Sequence, residues 1–434
     1  VAVSAAALAG ALAEIVGAEH VADEAAVLAR FAVDGRVPGL AVRPAGPEEA
    51  ARVLALAAAE GLAVCPRGRG GAVELGNPPS RVDLVLDCSR LDRVVEYSPE
   101  DMVATVGAGI TLSALAGTLE PHGQRLPLDP PGGPLRTVGG VLATADAGPL
   151  RYRYGTGRDL LLGVRFVQAD GTLTWGGAKV VKSVTGYDVP KLLVGSLGTL
   201  GVIVEATLRL HPLPALSRTW LFGFAEADRA GDFLGAVLHS TLEPERLAVA
   251  DQGLLAAVGV EPAPVGVLVG IGSVPEAVES QGARLLELAA GRGARAAVAA
   301  PDVWDRVARA LAGPTALRLA GEPARLLHWM GELGRRAQGL GLGVAALGEA
   351  ASGLVRARLE PAPPPDWGQH LVGPLREALA PEGGSCVVER APAGLKPADV
   401  WGPVPEGPLA VMRRIKHEFD PEGRLNPGRF VGGL

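Results

Sequence analysis

Lysine is almost missing from this 434-residue chain: five of its 41 basic side chains are lysine, and the rest are arginine. Cysteine is nearly as scarce. Cys65, Cys88 and Cys386 stand far apart, which excludes a CxxC metal or iron–sulfur site and predicts a reducing, cytoplasmic setting. The seven histidines (His20, His122, His211, His239, His328, His370, His417) are solitary, so no histidine cluster is available for a metal, and none is expected. Basic residues are scattered singly over a chain of net charge −6, which argues against the clustered footprint of a nucleic-acid binder. No apolar run reaches the roughly eighteen residues of a membrane span. The apolar start VAVSAAALAGALAEIVGAEH lacks a basic leader and is interrupted by Glu14, so it reads as an amphipathic helix rather than a signal peptide. Any membrane association is expected to be indirect, through a partner.

What is present is concentrated. Three of the five lysines, Lys179, Lys182 and Lys191, fall in KVVKSVTGYDVPKLLVGSLGTLGVI, which closes on Gly195, Gly198 and Gly201 at three-residue spacing before a β-branched strand. A lysine is a compact charge that arginine does not replace. Glycines so spaced let backbone N–H groups approach a ligand, although a Gly-rich turn into a core strand would read the same way.

The length predicts two domains. Residues 47–61 have helical periodicity closed by glycine, and LAVCP is a short strand. VDLVLDCS and RVVEYSPEDMVATVGAG read as two strands joined by a turn, and TLSALAGTLEPHG as a helix ending at Gly123. DLLLGVRFVQADGTLTWGG reads as a hairpin about Asp170-Gly171. HPLPALS marks a boundary. Beyond it, 218–395 reads as richer in Ala/Leu/Arg helices, and VMRRIKHEFDPEGRLNPGRF as a helix with a turn-rich close.

Three glycine-rich elements in one domain carry the chemistry. Pro66-Arg67-Gly68-Arg69-Gly70-Gly71 follows a strand, and its successive N–H groups form an anion nest suited to a pyrophosphate, with Arg67 assisting. It is not a GxGxxG turn into a helix, no acidic residue is expected to end a second strand about 20 residues on, and no GK[ST] is present. Thr137-Val138-Gly139-Gly140 opens a small-residue helix whose N-terminus can lie against a large anionic ligand or simply pack tightly. The third element is the lysine–glycine window.

The order PRGRGG, RTVGGVLATADAG, RYRYGTGRDLLLG, KVVKSVTGYDVPKLLVGSLGTLGVI and FDPEGRLNPGRF resembles the FAD-binding domain of the vanillyl-alcohol-oxidase / p-cresol methylhydroxylase (PCMH-type) superfamily and, within it, the E-type subunit of glycolate oxidase. The resemblance covers 40–212 and 411–430. It implies an α+β fold: a PCMH-type FAD-binding domain of two α/β subdomains plus an α+β cap. Domain bounds follow as 1–35 (N-terminal helical segment), 36–212 (FAD domain), 213–400 (cap or docking domain) and 401–434 (C-terminal segment returning to the FAD domain).

By the same resemblance Arg67, Gly68, Arg69, Gly70, Gly71, Gly76 and Asn77 wrap the FAD pyrophosphate. Thr137, Val138, Gly139, Gly140 and Thr144 lie along the dinucleotide, with Tyr154 and Gly155 nearby. Gly201, Val202 and Ile203 face the adenine half, Lys182, Tyr187 and Asp188 sit near the isoalloxazine, and Asn426 closes over it. Lys182 and Tyr187 are also the catalytic candidates. Arg69 and Gly71 depart from the usual RGGGT, and Ala145 and Ala147 stand where Asn and Ser are common. Gly71 occupies the position where covalent relatives carry histidine, so FAD is expected to be non-covalent.

The implied function is that of an FAD-binding component of a glycolate oxidase complex, oxidising 2-hydroxy acids beside a catalytic flavoprotein of the D type and an iron–sulfur subunit. LGEAASGLVRARL lacks the histidine expected there, and Leu197 replaces the glutamate typical of the D type. A stand-alone dehydrogenase and a non-catalytic scaffold are the alternatives.

Overall fold

The computed structural model describes residues 4–178, 187–261, 263–392 and 394–434. The chain builds three sheets and a short ribbon. In the first, β1 (Val21–Ala22), β2 (Leu40–Val42), β3 (Val64–Arg67) and β4 (Leu84–Asp87) lie in the order β1-β2-β4-β3. The last three run parallel. The helix Pro47–Ala59 makes that crossover possible. Proline opens it, Glu48 and Glu49 sit in its first turn, and Ala50, Val53, Leu54 and Ala57 at helical spacing are buried. These side chains share a core with Leu84, Leu86 and the buried side of the Ala5–Val16 helix.

The second sheet contains β5 (Val94–Ser98), β6 (Val103–Gly107), β8 (Leu161–Val167), β9 (Leu173–Gly177) and β10 (Val202–Arg209), ordered β5-β6-β10-β8-β9 and antiparallel throughout. The expected hairpin is present, with Gly171 at φ +90° in its turn. A small ribbon pairs β7 (Gln124–Arg125) with β11 (His211–Pro212) inside the proline-flanked boundary.

Two sequence expectations are corrected here. RVVEYSPEDMVATVGAG is itself the hairpin β5–β6, and VDLVLD belongs to the parallel sheet beside β3. An acidic residue does end that second strand: Asp87 closes β4 in register with Arg67 and accepts a hydrogen bond from Ser89 N at 2.9 Å.

The segment 218–395 carries the helices expected of it together with a sheet that was not anticipated. It forms an eight-stranded antiparallel sheet of β12 (Leu216–Phe224), β13 (Arg246–Asp251), β14 (Val265–Ser273), β15 (Arg295–Val298), β16 (Ala316–Ala320), β17 (Gly343–Glu349), β18 (Leu354–Glu360) and β19 (Ser385–Arg390), in the order β15-β12-β14-β13-β17-β18-β16-β19. Strands such as VGVLVGIGS carry apolar residues on both faces because both faces are covered, so the alternation that betrays a half-exposed strand is absent. One face packs under helices Ala227–Leu238, Pro275–Ala289 and Leu326–Gly339. The opposite face is partly covered by Gln252–Ala257 and Val303–Ala310. Its remainder, carrying Glu349 and Arg356, turns toward Asp129 and Asp146 of the first half of the chain.

Candidate functional site

The three glycine-rich elements converge. Thr137 N-caps the Val138–Thr144 helix, its Oγ1 accepting from Gly140 N at 3.2 Å, which fixes the helix start against the loop after β3. Gly68 has no room for a side chain, since a Cβ there would collide with Thr137 Oγ1. Gly198, at φ +69°, brings the turn before β10 to the same place, where a Cβ would stand 2.7 Å from Pro66 Cγ. Two adjoining cavities of about 470 and 550 Å³ open between these elements, sharing walls at Pro66, Arg67, Gly68, Thr137, Gly140, Ala143 and Leu197.

The first cavity is bounded by Cys88, Ala108, Gly139, Gly201, Val202 and Ile203 and is mostly apolar. The second is lined by Arg67, Arg69, Gly70, Gly71, Arg136, Thr144, Asn426 and Arg429. The four arginines give the cavity a positive lining, with Arg136 held by Asp146 and Arg429 by Val73 O and Leu75 O, and together with a run of loop N–H groups this suits a dianionic pyrophosphate. The apolar cavity beside it suits a planar ring system. Asn426 adds a further sign of fit. Its Nδ2 donates to Leu197 O, while its buried Oδ1 has no partner among the described residues. A buried amide oxygen left without a donor is costly unless a ligand supplies one.

The C-terminal segment is locked into this site by one of the five lysines. Lys416 Nζ reaches Asp420 Oδ2 at 2.5 Å, Thr199 O at 2.8 Å and Leu425 O at 3.1 Å, all buried. Asp420 in turn accepts from Arg424 N and Leu425 N. The clamp thereby joins the turn 195–201 to the strand-like stretch that presents Asn426. Burial lowers the Lys416 ammonium, and Asp420 opposes that fall.

The structure gathers Arg67, Gly68, Arg69, Gly70, Gly71, Thr137, Gly139, Gly140, Thr144, Gly201, Val202, Ile203 and Asn426 around the two cavities. Val138 lies beneath them in the core. Arg67 lines both cavities, but its Nη1 donates to Arg30 O at 3.0 Å and its guanidinium lies over Phe31. Gly76 and Asn77 instead clasp the C-terminal segment: Asn77 N donates to Arg429 O, and its Oδ1 accepts from Val400 N. Tyr154 Oη accepts from Arg125 Nη2 at 2.7 Å beside His211, with Gly155 ending its helix turn. Tyr187 is 97% exposed, and Asp188 caps the Val189–Leu193 helix and pairs with Lys191. Lys182 lies outside the described residues.

Residues not anticipated from the sequence are Arg136, Arg429, Asp146, Arg356 and Glu349. Arg136 Nη2 pairs with Asp146 at 2.9 Å, and Arg356 reaches both Asp146 at 3.4 Å and Glu389 at 2.9 Å. Burial raises the Asp146 carboxyl, yet the Arg356 and Arg136 guanidiniums hold it below its ordinary value. Arg136 and Arg429 stand beside or inside the glycine-rich motifs and are legible there as cations. The buried thiols are inert: burial pushes Cys65 up to about 11 and Cys88 and Cys386 to about 12.

Comparison with known proteins agrees with this geometry. Residues 38–177 match an FAD binding domain, and 403–430 match the C-terminal domain of FAD linked oxidases. The fold superposes on p-cresol methylhydroxylase with substrate bound at TM-score 0.77 and 15% identity, covering 98% of this chain and 96% of that one. The 4-ethylphenol oxidase from Gulosibacter chungangensis superposes at 0.75 with 14% identity and the same coverage.

The fold is the PCMH-type FAD-binding fold. Its cofactor is FAD, and the cradle residues fit it.

The α+β expectation therefore holds. Among sequence relatives, the glycolate oxidase subunit GlcD of Bacillus subtilis is 30% identical over 219 residues, 50% of this chain and 47% of that protein. The glycolate oxidase subunit GlcE of Escherichia coli is 38% identical over 152 residues, 35% of this chain and 43% of that protein. An FAD-linked oxidoreductase of Mycobacterium tuberculosis is 29% identical over 429 residues, with 91% of each chain covered. The chain thus spans about half the length of the glycolate oxidase relatives and nearly all of the mycobacterial one. Among the described residues no helix is long and apolar enough to cross a membrane, and no group of His, Cys, Asp and Glu could hold a metal ion.

Proposed function

We propose that the protein is an FAD-dependent oxidoreductase of 2-hydroxy acids that works as the FAD-binding component of a glycolate-oxidase-type assembly. Bound FAD supplies a two-electron acceptor for the substrate carbon. The chain's own residues hold it: the loop 67–73 and Arg136 on the phosphates, the helix start at Thr137–Gly140 beneath them, and Asn426 from the C-terminal segment. The observation that carries this reading is the meeting of the three glycine-rich elements around a buried Asn426 oxygen that has no partner among the described residues. In this reading 36–212 is the FAD domain, 213–400 the cap, and 401–434 the returning segment. Gly71 leaves the FAD non-covalent. The partners are a GlcD-like catalytic flavoprotein and an iron–sulfur subunit; the GlcD and GlcE relatives support the first of these.

A second reading, a stand-alone hydroxy-acid dehydrogenase, is favoured by a chamber of about 970 Å³ between the eight-stranded sheet and the first half of the chain. Anaerobic titration of the purified chain with glycolate, D-lactate and D-2-hydroxyglutarate, followed at 450 nm, separates the two. Bleaching by the chain alone supports stand-alone turnover, and bleaching only when partners co-purify supports the assembly. A colourless protein that takes up no FAD overturns both.

A further inference from the structure

The chamber of about 970 Å³ lies beyond the cradle. It shares Pro131 and Arg356 with a cavity of about 680 Å³, which in turn shares Gly70, Gly71 and Arg136 with the pyrophosphate site. Its two ends differ in chemistry. One is apolar, built from Leu112, Ala116, Leu126, Val307, Leu311 and Leu347. The other carries Asp129, Arg246, Glu349 and Arg356.

Glu349, the last residue of β17, is 4% exposed. Its Oε2 accepts from Ser352 Oγ at 3.1 Å and lies 3.4 Å from Arg151 Nε, while Oε1 is buried with no partner among the described residues. On the neighbouring strand β13, where Ala248 pairs with Glu349, Arg246 gives Nε to Asp129 and Nη1 to Glu245 over the Trp304 ring, which leaves its Nη2 for a ligand. A chamber lined by a carboxyl with one oxygen lacking a donor and by a guanidinium with a nitrogen to spare is an arrangement for a bound hydroxyl and carboxylate.

We propose that this chamber binds a 2-hydroxy acid with a long apolar tail and that Glu349 is the base that accepts its hydroxyl proton. The inference rests on the second reading above, in which the chain itself is the hydroxy-acid dehydrogenase. The substrate carboxylate meets Arg246, and the tail lies along the leucines. The O–H bond breaks with its proton going to Glu349, the C–H hydrogen leaves with its electron pair to the FAD, and the product is the 2-oxo acid. A two-carbon acid would leave most of the chamber unfilled. The charged groups acting on Glu349 are Arg356 and Arg151 on the positive side and Asp129 on the negative, and Arg246 and Asp305 line the same chamber. Burial, opposed by Arg356 and Arg151, raises its carboxyl to about 7, a value suited to accepting a proton at neutral pH.

The test uses the protein as purified. Flavin reduction by 2-hydroxyoctanoate should be faster than by glycolate. Glu349→Gln should keep the flavin content while slowing reduction about 10²–10⁴-fold and removing the rise in rate with pH centred near 7. Calorimetric binding of 2-oxooctanoate should weaken at least tenfold in Ala308→Trp, which narrows the apolar end. Unchanged rate and pH profile in Glu349→Gln, a preference for glycolate, or no binding of 2-oxooctanoate by flavin-bearing protein overturns the chamber assignment alone. Absence of flavin overturns the reading beneath it as well.

Discussion

Replacing Lys416 by methionine tests whether the C-terminal clamp builds the cofactor site. Methionine keeps most of the length and apolar stem but removes a buried ammonium that contacts Asp420, Thr199 O and Leu425 O. Breaking one partner of a buried ion pair costs about 3–5 kcal/mol, because the other charge is stranded. Asp420 keeps two backbone donors, Arg424 N and Leu425 N, which places the cost toward the lower end of that range. The two freed carbonyls add back about 1–3 kcal/mol each unless water reaches them. A loss of about 3 kcal/mol follows where water reaches both carbonyls and about 5 kcal/mol or more where it does not, and the double variant Lys416→Met/Asp420→Leu should recover part of it, since no charge then remains unpaired. Urea unfolding monitored by circular dichroism measures the stability, and fluorescence quenching of added FAD measures the affinity. Both should fall in the single variant, because the clamp aligns Leu425 and therefore Asn426. A change in stability below about 1 kcal/mol, or full destabilisation with unaltered FAD affinity, refutes the reasoning.

Acid precipitation should release the flavin into the supernatant, since Gly71 offers no attachment atom; a yellow pellet refutes it. Ala143→Trp fills the shared wall of the two cavities from a helix face without touching the Thr137 cap. It should abolish FAD uptake with the circular dichroism spectrum retained, and full uptake would displace the site. Glu349 makes stability pH-dependent. Its folded value of about 7 lies above the ordinary 4.5, so its contribution is complete below about pH 4.5 and is lost as pH rises through 7. That displacement is worth about 3 kcal/mol at most. Glu349→Gln should flatten this part of the urea-midpoint profile between pH 5 and 8, and an unchanged slope assigns the dependence elsewhere.

The glycine-rich elements that line the two cavities were legible in the sequence because their chemistry is local. A glycine run after a strand, a Thr-x-Gly-Gly helix start and a three-residue glycine spacing each specify backbone geometry within a few residues, and the structure needed only to bring them together. The eight-stranded sheet was not legible for the opposite reason. Its strands are apolar on both faces, as in Val265–Ser273, so helix and strand periods are indistinguishable there. One segment did carry the signal. In LVRARLE, Val355, Ala357 and Leu359 are buried in the helix-side core, while Arg356 and Arg358 point to the other face.

The polar residues of that other face escape a sequence reading because the segment around Glu349 stands out for a missing histidine rather than for the acid and arginine it carries. Their partners lie some 200 positions earlier in the chain, on the segment that follows the cradle helix. Arg356 cannot be buried without Asp146 and Glu389 to neutralise it, and Asp146 cannot be buried without Arg136 and Arg356. Arg136 also walls the second, arginine-lined cavity of the glycine-rich site. The same charges that stabilise the contact between sheet and cradle therefore place the sheet's acid–arginine face beside that cavity. Arg136, Asp146 and Arg356 thus serve the sheet contact and the cavity wall together, a link that no window of local sequence contains.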